Sequence, residues 1–187
     1  MPEFSTVDPL AKPPRVDFPS VYNAAHDLIG RNLQAGRADK IAFIDDAGSY
    51  SYGELAQRVN RFANAITALG VQPEQRVFLC LLDSIDWPVA FLGCILAGVV
   101  PVAANTLLTT QDYDYMLRDS RARALVVSDQ LWPKLEPLLG QLPQLRHVVV
   151  SGAMPAASPA ALHAMAPLCE RFAPDFTPAE TSPDEAC

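Results

Sequence analysis

Asp83 and Asp86 stand just ahead of a long apolar run, close enough in sequence to offer paired carboxylates for general acid–base work. The same placement at a helix start serves a plainer purpose, because acidic groups are stabilised by the positive pole of the helix dipole. Capping is the expected role of both. Gly93 and Gly98 match the first half of a phosphate loop, Gly-x-x-x-x-Gly, but Val99-Val100 stand where Lys and Ser/Thr should grip phosphate and metal. That match is rejected, and the two glycines are expected to let a helix approach a sheet closely. Neither a Gly-x-Gly-x-x-Gly fingerprint nor a Gly-x-Ser-x-Gly elbow occurs, which disfavours nicotinamide, flavin and α/β-hydrolase chemistry.

The remaining reactive side chains are scattered. Cys80, Cys94, Cys169 and Cys187 show no Cys-x-x-Cys spacing, and His26, His147 and His163 are far apart in the chain. Cys80 and Cys94 lie in apolar runs, where free thiols behave as small hydrophobes. A reduced, cytoplasmic, metal-free chain is the expectation, with no signal peptide in Met1 to Val16. Arg118, Arg121 and Arg123 could meet an anion, but cations also suit the C-terminal end of a helix. A formal net charge of −7 argues against nucleic acid as a partner. With 50% hydrophobic and 19% charged residues, the composition is that of a globular protein.

The elements that must position these groups follow from periodicity. Residues 1–19 read as an extended arm, since Pro2, Pro9, Pro13, Pro14 and Pro19 oppose regular pairing. A helix is expected from Asn23 to Gln34, then a hairpin of Lys40–Asp45 with Ser49–Tyr52 around an Asp46-Ala47-Gly48 turn. Helix 53–69 carries Leu55, Val59, Phe62, Ile66 and Leu69 on one face. Ser51 and Glu54 form its capping box, Tyr50 and Leu55 its hydrophobic staple, and Gly70 its left-handed close. Arg76–Leu82, 99–104, Ala124–Val127 and His147–Val150 read as strands, the apolar runs among them as parallel strands buried on both faces. Helices between them are expected from Trp87, behind an Asp86 cap with Pro88 at its first position, from Thr110 to Asp119, and after an Asp129 cap. From Trp87 to Thr110 no residue is charged, a length that suggests a membrane span. Gly98 and Pro101 cut it to a core helix of roughly a dozen residues, so no membrane is expected. The fold class is α/β: a parallel sheet flanked by helices, with an N-terminal hairpin and a Pro-rich C-terminal tail. Residues 20–150 hold the α/β subdomain, and 151–187 form a Pro/Ala-rich connector with a possible short helix from Ala160 to Arg171.

Two stretches in order, Tyr50-Ser51-Tyr52-Gly53-Glu54-Leu55 and Phe91 through Asn105, resemble the N-terminal signature of adenylate-forming enzymes. That superfamily includes acyl- and aryl-CoA ligases, luciferases and peptide-synthetase adenylation domains. The wording from Asp83 to Thr109 is most similar to bacterial benzoate- or 4-hydroxybenzoate-CoA ligases. The resemblance implies a parent enzyme that activates an aromatic carboxylate with ATP and Mg²⁺ and passes the acyl group to CoA. In the family a loop ending in Gly-x-Pro-Lys-Gly holds the ATP phosphates, and no such stretch occurs here. The chain is therefore expected to be the front portion of a ligase, cut before that loop and inactive alone. It should bind no cofactor itself and should self-associate through apolar surface that the missing remainder covers. No catalytic or metal residue is assigned. Asn105 matches the family's usual Asn after a strand, at the sheet edge where ligands gather, and is the sole cofactor-binding candidate; a turn is its plain alternative. Some relatives carry in the loop after that strand an Arg that contacts CoA phosphates. Asn105-Thr106-Leu107-Leu108 has no basic residue, so that contact is not carried over. The rival reading is a non-catalytic α/β binding module or a naturally truncated homologue.

Overall fold

The computed structural model describes residues 2–156 and 160–185. Two antiparallel ribbons precede the main sheet. In the first, β1 (Thr6–Asp8) pairs with β2 (Arg15–Asp17). This corrects the expectation of an unpaired arm: the prolines fall outside both three-residue strands, with Pro9, Pro13 and Pro14 in the turn between them. The arm is anchored on helix α1 (Ala24–Gln34). The Asp27 carboxylate accepts from the Ser5 hydroxyl at 2.6 Å, the Ser5 amide at 3.0 Å and Arg31 Nη2 at 2.6 Å. Burial pushes the Asp27 carboxyl up, but the donors from Ser5, Arg31 and Tyr22 outweigh it and hold the group below 3.8. In the second ribbon β3 (Ile41–Asp45) pairs with β4 (Gly48–Ser51), where Asp45 Oδ1 accepts from the Ala47 and Gly48 amides.

Helix α2 (Tyr52–Ala68) starts as its sequence dictates. Ser51 Oγ accepts from the Glu54 amide at 3.2 Å, and Glu54 Oε2 accepts from the Ser51 amide at 2.8 Å. Tyr50 packs on the core cluster that holds Leu55. Gly70, at φ 82°, closes the helix: its amide donates to the Thr67 carbonyl and the Val71 amide to the Ile66 carbonyl.

The remaining elements are β5 (Arg76–Cys80), α3 (Asp86–Leu96), β6 (Val100–Ala103), α4 (Thr110–Ser120), β7 (Ala124–Ser128), α5 (Trp132–Leu139), β8 (His147–Ser151), β9 (Ala161–Ala164) and α6 (Met165–Glu170). Strands β5 to β9 form one parallel sheet in the order β6-β5-β7-β8-β9. Alternation along the strands splits the core. Val77, Leu79, Ala124, Val126 and Val149 face a layer made by α1, α2, α3 and α6. Phe78, Cys80, Leu125, Val127, Val148 and Val150 face α4 and α5.

The structure departs from two of the expected helices. The segment read as a helix from Ala160 to Arg171 begins as strand β9, which extends the sheet before α6 turns back over α2. Its Leu162 packs on one core cluster and Met165 and Leu168 are buried in the other. Helix α3 begins at Asp86, not behind it: Ile85 is the capping residue and makes no side-chain cap. Pro88 is tolerated at the third position because amides of the first turn have no partner within the helix. At 11 residues α3 is far too short for a span, and no helix among the described residues is long and apolar enough to cross a membrane. Past α6 the chain is extended, as expected, and is strapped onto the helical layer. Asn60 and Asn64 donate to the carbonyls of Pro174 and Asp175, each at 2.8 Å, and the Ala179 amide donates to Leu96.

Gly93 permits a close approach, but to α2 and not to the sheet. A Cβ there would lie 2.7 Å from Phe62 Cδ1 and 3.2 Å from the Val59 carbonyl oxygen. Helix propensity alone would make Gly93→Ala stabilising by about 1 kcal/mol. Overpacking against buried Phe62 opposes this with about 1–3 kcal/mol. We expect net destabilisation, read as a lower urea midpoint, with partial recovery in Gly93→Ala/Phe62→Leu. A single variant more stable than the parent would show that the helices are free to part.

Candidate functional site: the C-terminal edge of the sheet

Parallel strands release their loops at one end, and in open α/β sheets ligands bind there, where strand order reverses. Here the reversal lies around β5, with β6 on one side and β7 on the other. The loops gathered at this edge follow β5 (Leu81 to Ile85), β6 (Ala104 to Thr109), β7 (Asp129) and β8 (Gly152, Ala153).

Nearly every polar group at this edge holds a neighbouring loop. Ser128 Oγ accepts from the Leu82 amide at 3.0 Å, and Asp45 Oδ2 accepts from the Ile85 amide at 2.9 Å. The Ile85 amide, with those of Ala47 and Gly48, holds the Asp45 carboxyl below its ordinary range. Asp129 does not cap a helix through its side chain. It opens the 3-10 turn Asp129–Leu131, and its Oδ2 accepts from the Ala153 amide at 2.7 Å. Gly152, at φ 103°, is required beside it, since a Cβ would come within 2.5 Å of Asp129 Oδ2. Lys134 Nζ donates to the carbonyls of Thr106 and Leu108, each at 3.1 Å, and Tyr113 Oη donates to the Asn105 carbonyl at 2.8 Å. A second capping box, Thr109 with Asp112, fixes the start of α4.

The sequence candidates fall into place accordingly. Asn105 Oδ1 accepts from the Leu107 amide at 2.9 Å, the self-contained turn that is its plain alternative. Asp86 and Asp83 are not joined as an acid–base pair: Asp86 Oδ2 accepts from Ser151 Oγ at 2.6 Å, while Asp83 is exposed. Cys80 and Cys94 are buried, and burial pushes the Cys94 thiol well above its usual range. Cys187 lies outside the described residues. Arg118 sits in the last turn of α4, paired with Asp114. His147 and His163, far apart in sequence, meet across β8 and β9 with Nδ1 and Nε2 3.2 Å apart. No spacing rule could have found that contact, because it depends on β9 joining the sheet. Lys134 was equally invisible: nothing in α5 marks one lysine as the clamp of another loop.

A cavity of about 270 Å³ opens between α2, α3 and α6, lined by Arg58, Arg61, Asp86, Val89, Met165 and Cys169 among others. Arg58 lies over the Tyr50 ring, 5.1 Å from its centroid. Burial, then the Asp86 charge, pushes the Cys169 thiol up to about 12, so it is no nucleophile at neutral pH.

ATP phosphates need a cradle of free amides and an unengaged cation. At the sheet edge the Lys134 ammonium is taken by two carbonyls, and the amides of Leu82, Ile85 and Ala153 already have acceptors. These residues do not fit a nucleoside triphosphate. Among the described residues, no group of three or more His, Cys, Asp or Glu is placed to hold a metal.

Fold and edge together define a class: a parallel α/β scaffold, covered by helices on both faces, that presents its loops at one end. The chain belongs to the AMP-binding enzyme family, whose model matches residues 31–187. It is 52% identical over 184 residues to a benzoate–CoA ligase of Thauera aromatica, covering 98% of this chain and 34% of that relative. Identity to a 4-hydroxybenzoate–CoA/benzoate–CoA ligase of Rhodopseudomonas palustris is 46% over 135 residues, or 72% of this chain and 25% of the relative. A solved benzoate CoA ligase from Burkholderia xenovorans LB400 superposes with a TM-score of 0.78 at 43% identity, over 88% of this chain and 32% of that one. The chain thus spans about a third or less of the length of these relatives.

The Lys134 clamp is testable. Lys134→Met removes both donors to the 105–108 loop while keeping the apolar stem. Hydrogen bonds from a charged donor contribute about 1.5–3 kcal/mol, so the Leu107 and Leu108 amides should exchange about tenfold faster or more. Amides in β5 should keep their protection. Unchanged exchange in the loop would remove Lys134 from this role.

Proposed function

We propose that this chain is the N-terminal α/β part of a cytoplasmic aryl-CoA ligase and that its work is scaffolding. In the parent enzyme the carboxylate oxygen of benzoate or a hydroxybenzoate attacks the α-phosphorus of ATP, and pyrophosphate leaves. The thiolate of CoA then attacks the acyl carbonyl of the resulting acyl-AMP, and AMP leaves. ATP, Mg²⁺, CoA and the aryl acid are held by the remainder of that enzyme, with residues 1–19 as an arm, 20–150 together with β9 and α6 as the α/β unit, and the chain past α6 as the connector toward the phosphate loop.

One observation carries this reading: nearly the whole chain aligns at 52% identity with a benzoate–CoA ligase, yet covers only 34% of it. The engagement of Ser128, Lys134, Asp86 and Asp129 at the sheet edge supports it, since these groups are spent on loop geometry.

The chain alone should give no benzoate-dependent exchange of labelled pyrophosphate into ATP above the no-enzyme blank. The full-length parent enzyme, which carries the Gly-x-Pro-Lys-Gly stretch and all that follows it, should catalyse it. Exchange by this chain alone would overturn the scaffold reading. A coding sequence that stops at Cys187 would favour the non-catalytic binding module instead.

A further inference from the structure

His147 and His163 occupy a position where two protons cannot be accommodated. In the register of the sheet His147 lies opposite Ala161 and His163 opposite Val149, so the two rings lie diagonally across the β8–β9 pair on one face. Their centroids are 5.4 Å apart and the nearest ring nitrogens 3.2 Å. At that distance one nitrogen donates its N–H and the other accepts with its lone pair. A single added proton is compatible with this contact. A second is not, because both facing nitrogens then carry N–H and both rings carry charge.

We propose that the His147–His163 pair is a pH-operated latch that holds edge strand β9 to the sheet in its neutral or singly protonated form and releases it when both rings are charged. The charges acting on His163 come from β8 and from the end of α6: that of His147 once its ring is protonated, and that of Arg171. Glu170, Asp86 and the α2 arginines Arg58 and Arg61 act further along α6, at Cys169. Burial first, then these two positive neighbours, lowers the affinity of His163 for a proton below its ordinary 6.5. A folded-state value below the unfolded one means that the contribution of the neutral ring is intact above pH 6.5 and is lost as pH falls through the lower, folded value.

Release has a structural consequence because β9 leads directly into α6. Met165 and Leu168 of α6 are buried in the helical layer, and Met165 and Cys169 wall the cavity beside Arg58 and Arg61. Freeing β9 bares the edge of β8 and loosens that wall, while β5 and β7 stay covered.

Hydrogen exchange localises the effect. After correction for intrinsic rates, protection of amides 161–164 relative to those of β7 should fall about tenfold between pH 7.5 and pH 5.0, the scale of losing one hydrogen-bonded contact. His163→Gln keeps a hydrogen-bonding side chain without a charge and should hold that ratio constant. Should His163→Gln fail to fold, His147→Gln breaks the pair from β8 and gives the same readout. His26, also lowered by burial, lies on α1, so its titration registers there and not at β9. A ratio independent of pH in the parent, or an equal fall in the glutamine variant that folds, would overturn the latch.

Discussion

Strands β5 and β7 carry apolar side chains on both faces, and their backbone polar groups can be satisfied only by strands alongside. Both faces must therefore be covered, and the layering follows. One layer, α4 and α5, is supplied by the crossovers to β7 and β8. The other is built from α1, α2, α3 and α6, drawn together around α2 and α3, where Gly93 lets the helices approach to a distance that any side chain would prevent. Asn23 ties this layer at its end. Its Oδ1 caps α1 by accepting from the His26 amide, and its Nδ2 donates to the Ile95 carbonyl at the end of α3 and to Ala179 in the tail.

The same economy governs the edge where chemistry is expected. Loops leaving parallel strands have unpaired amides and carbonyls, and this chain satisfies them with its own side chains: Ser128, Asp45, Asp129, Lys134 and Tyr113. Groups held this way are rigid and already partnered. They suit a platform on which other residues act, which agrees with a chain that spans a third of its ligase relative.

What the sequence revealed depended on how local each signal is. The start and end of α2 were legible because Ser51, Glu54 and Gly70 act within a few residues of one another, and β5 was legible from its unbroken apolar run. The end of α3 at Gly98 was legible for the same reason: the left-handed glycine lets the Val99 amide reach Cys94. The pairing of β1 with β2 is hidden by the arm's proline content, because the two short strands lie between the prolines. Strand β9 is not legible locally, because Ala161 to Ala164 has no β-branched residue and is held in place by β8. Asp86 was read as a local cap, whereas Ser151, distant in sequence, claims its carboxylate. Of the candidate site, only the turn at Asn105 could be read in advance; the clamps from Lys134 and Asp129 are tertiary contacts without a spacing.

Apolar side chains remain outside this packed structure. Ile44 is 75% exposed and Leu107 85%, with Ile41 and Phe43 close to Ile44 on the same ribbon, and β6 and β9 end the sheet as open edges. Burying apolar surface stabilises by roughly 25 cal/mol per Å², so a few hundred Å² supplies several kcal/mol for association. A scaffold completed by further chain is tested most directly by sedimentation velocity at micromolar concentration, with ANS fluorescence on the same sample. Concentration-dependent association with bright dye fluorescence is the expected result. A monodisperse, dye-silent monomer would contradict it, because the surface would then be closed without any remainder.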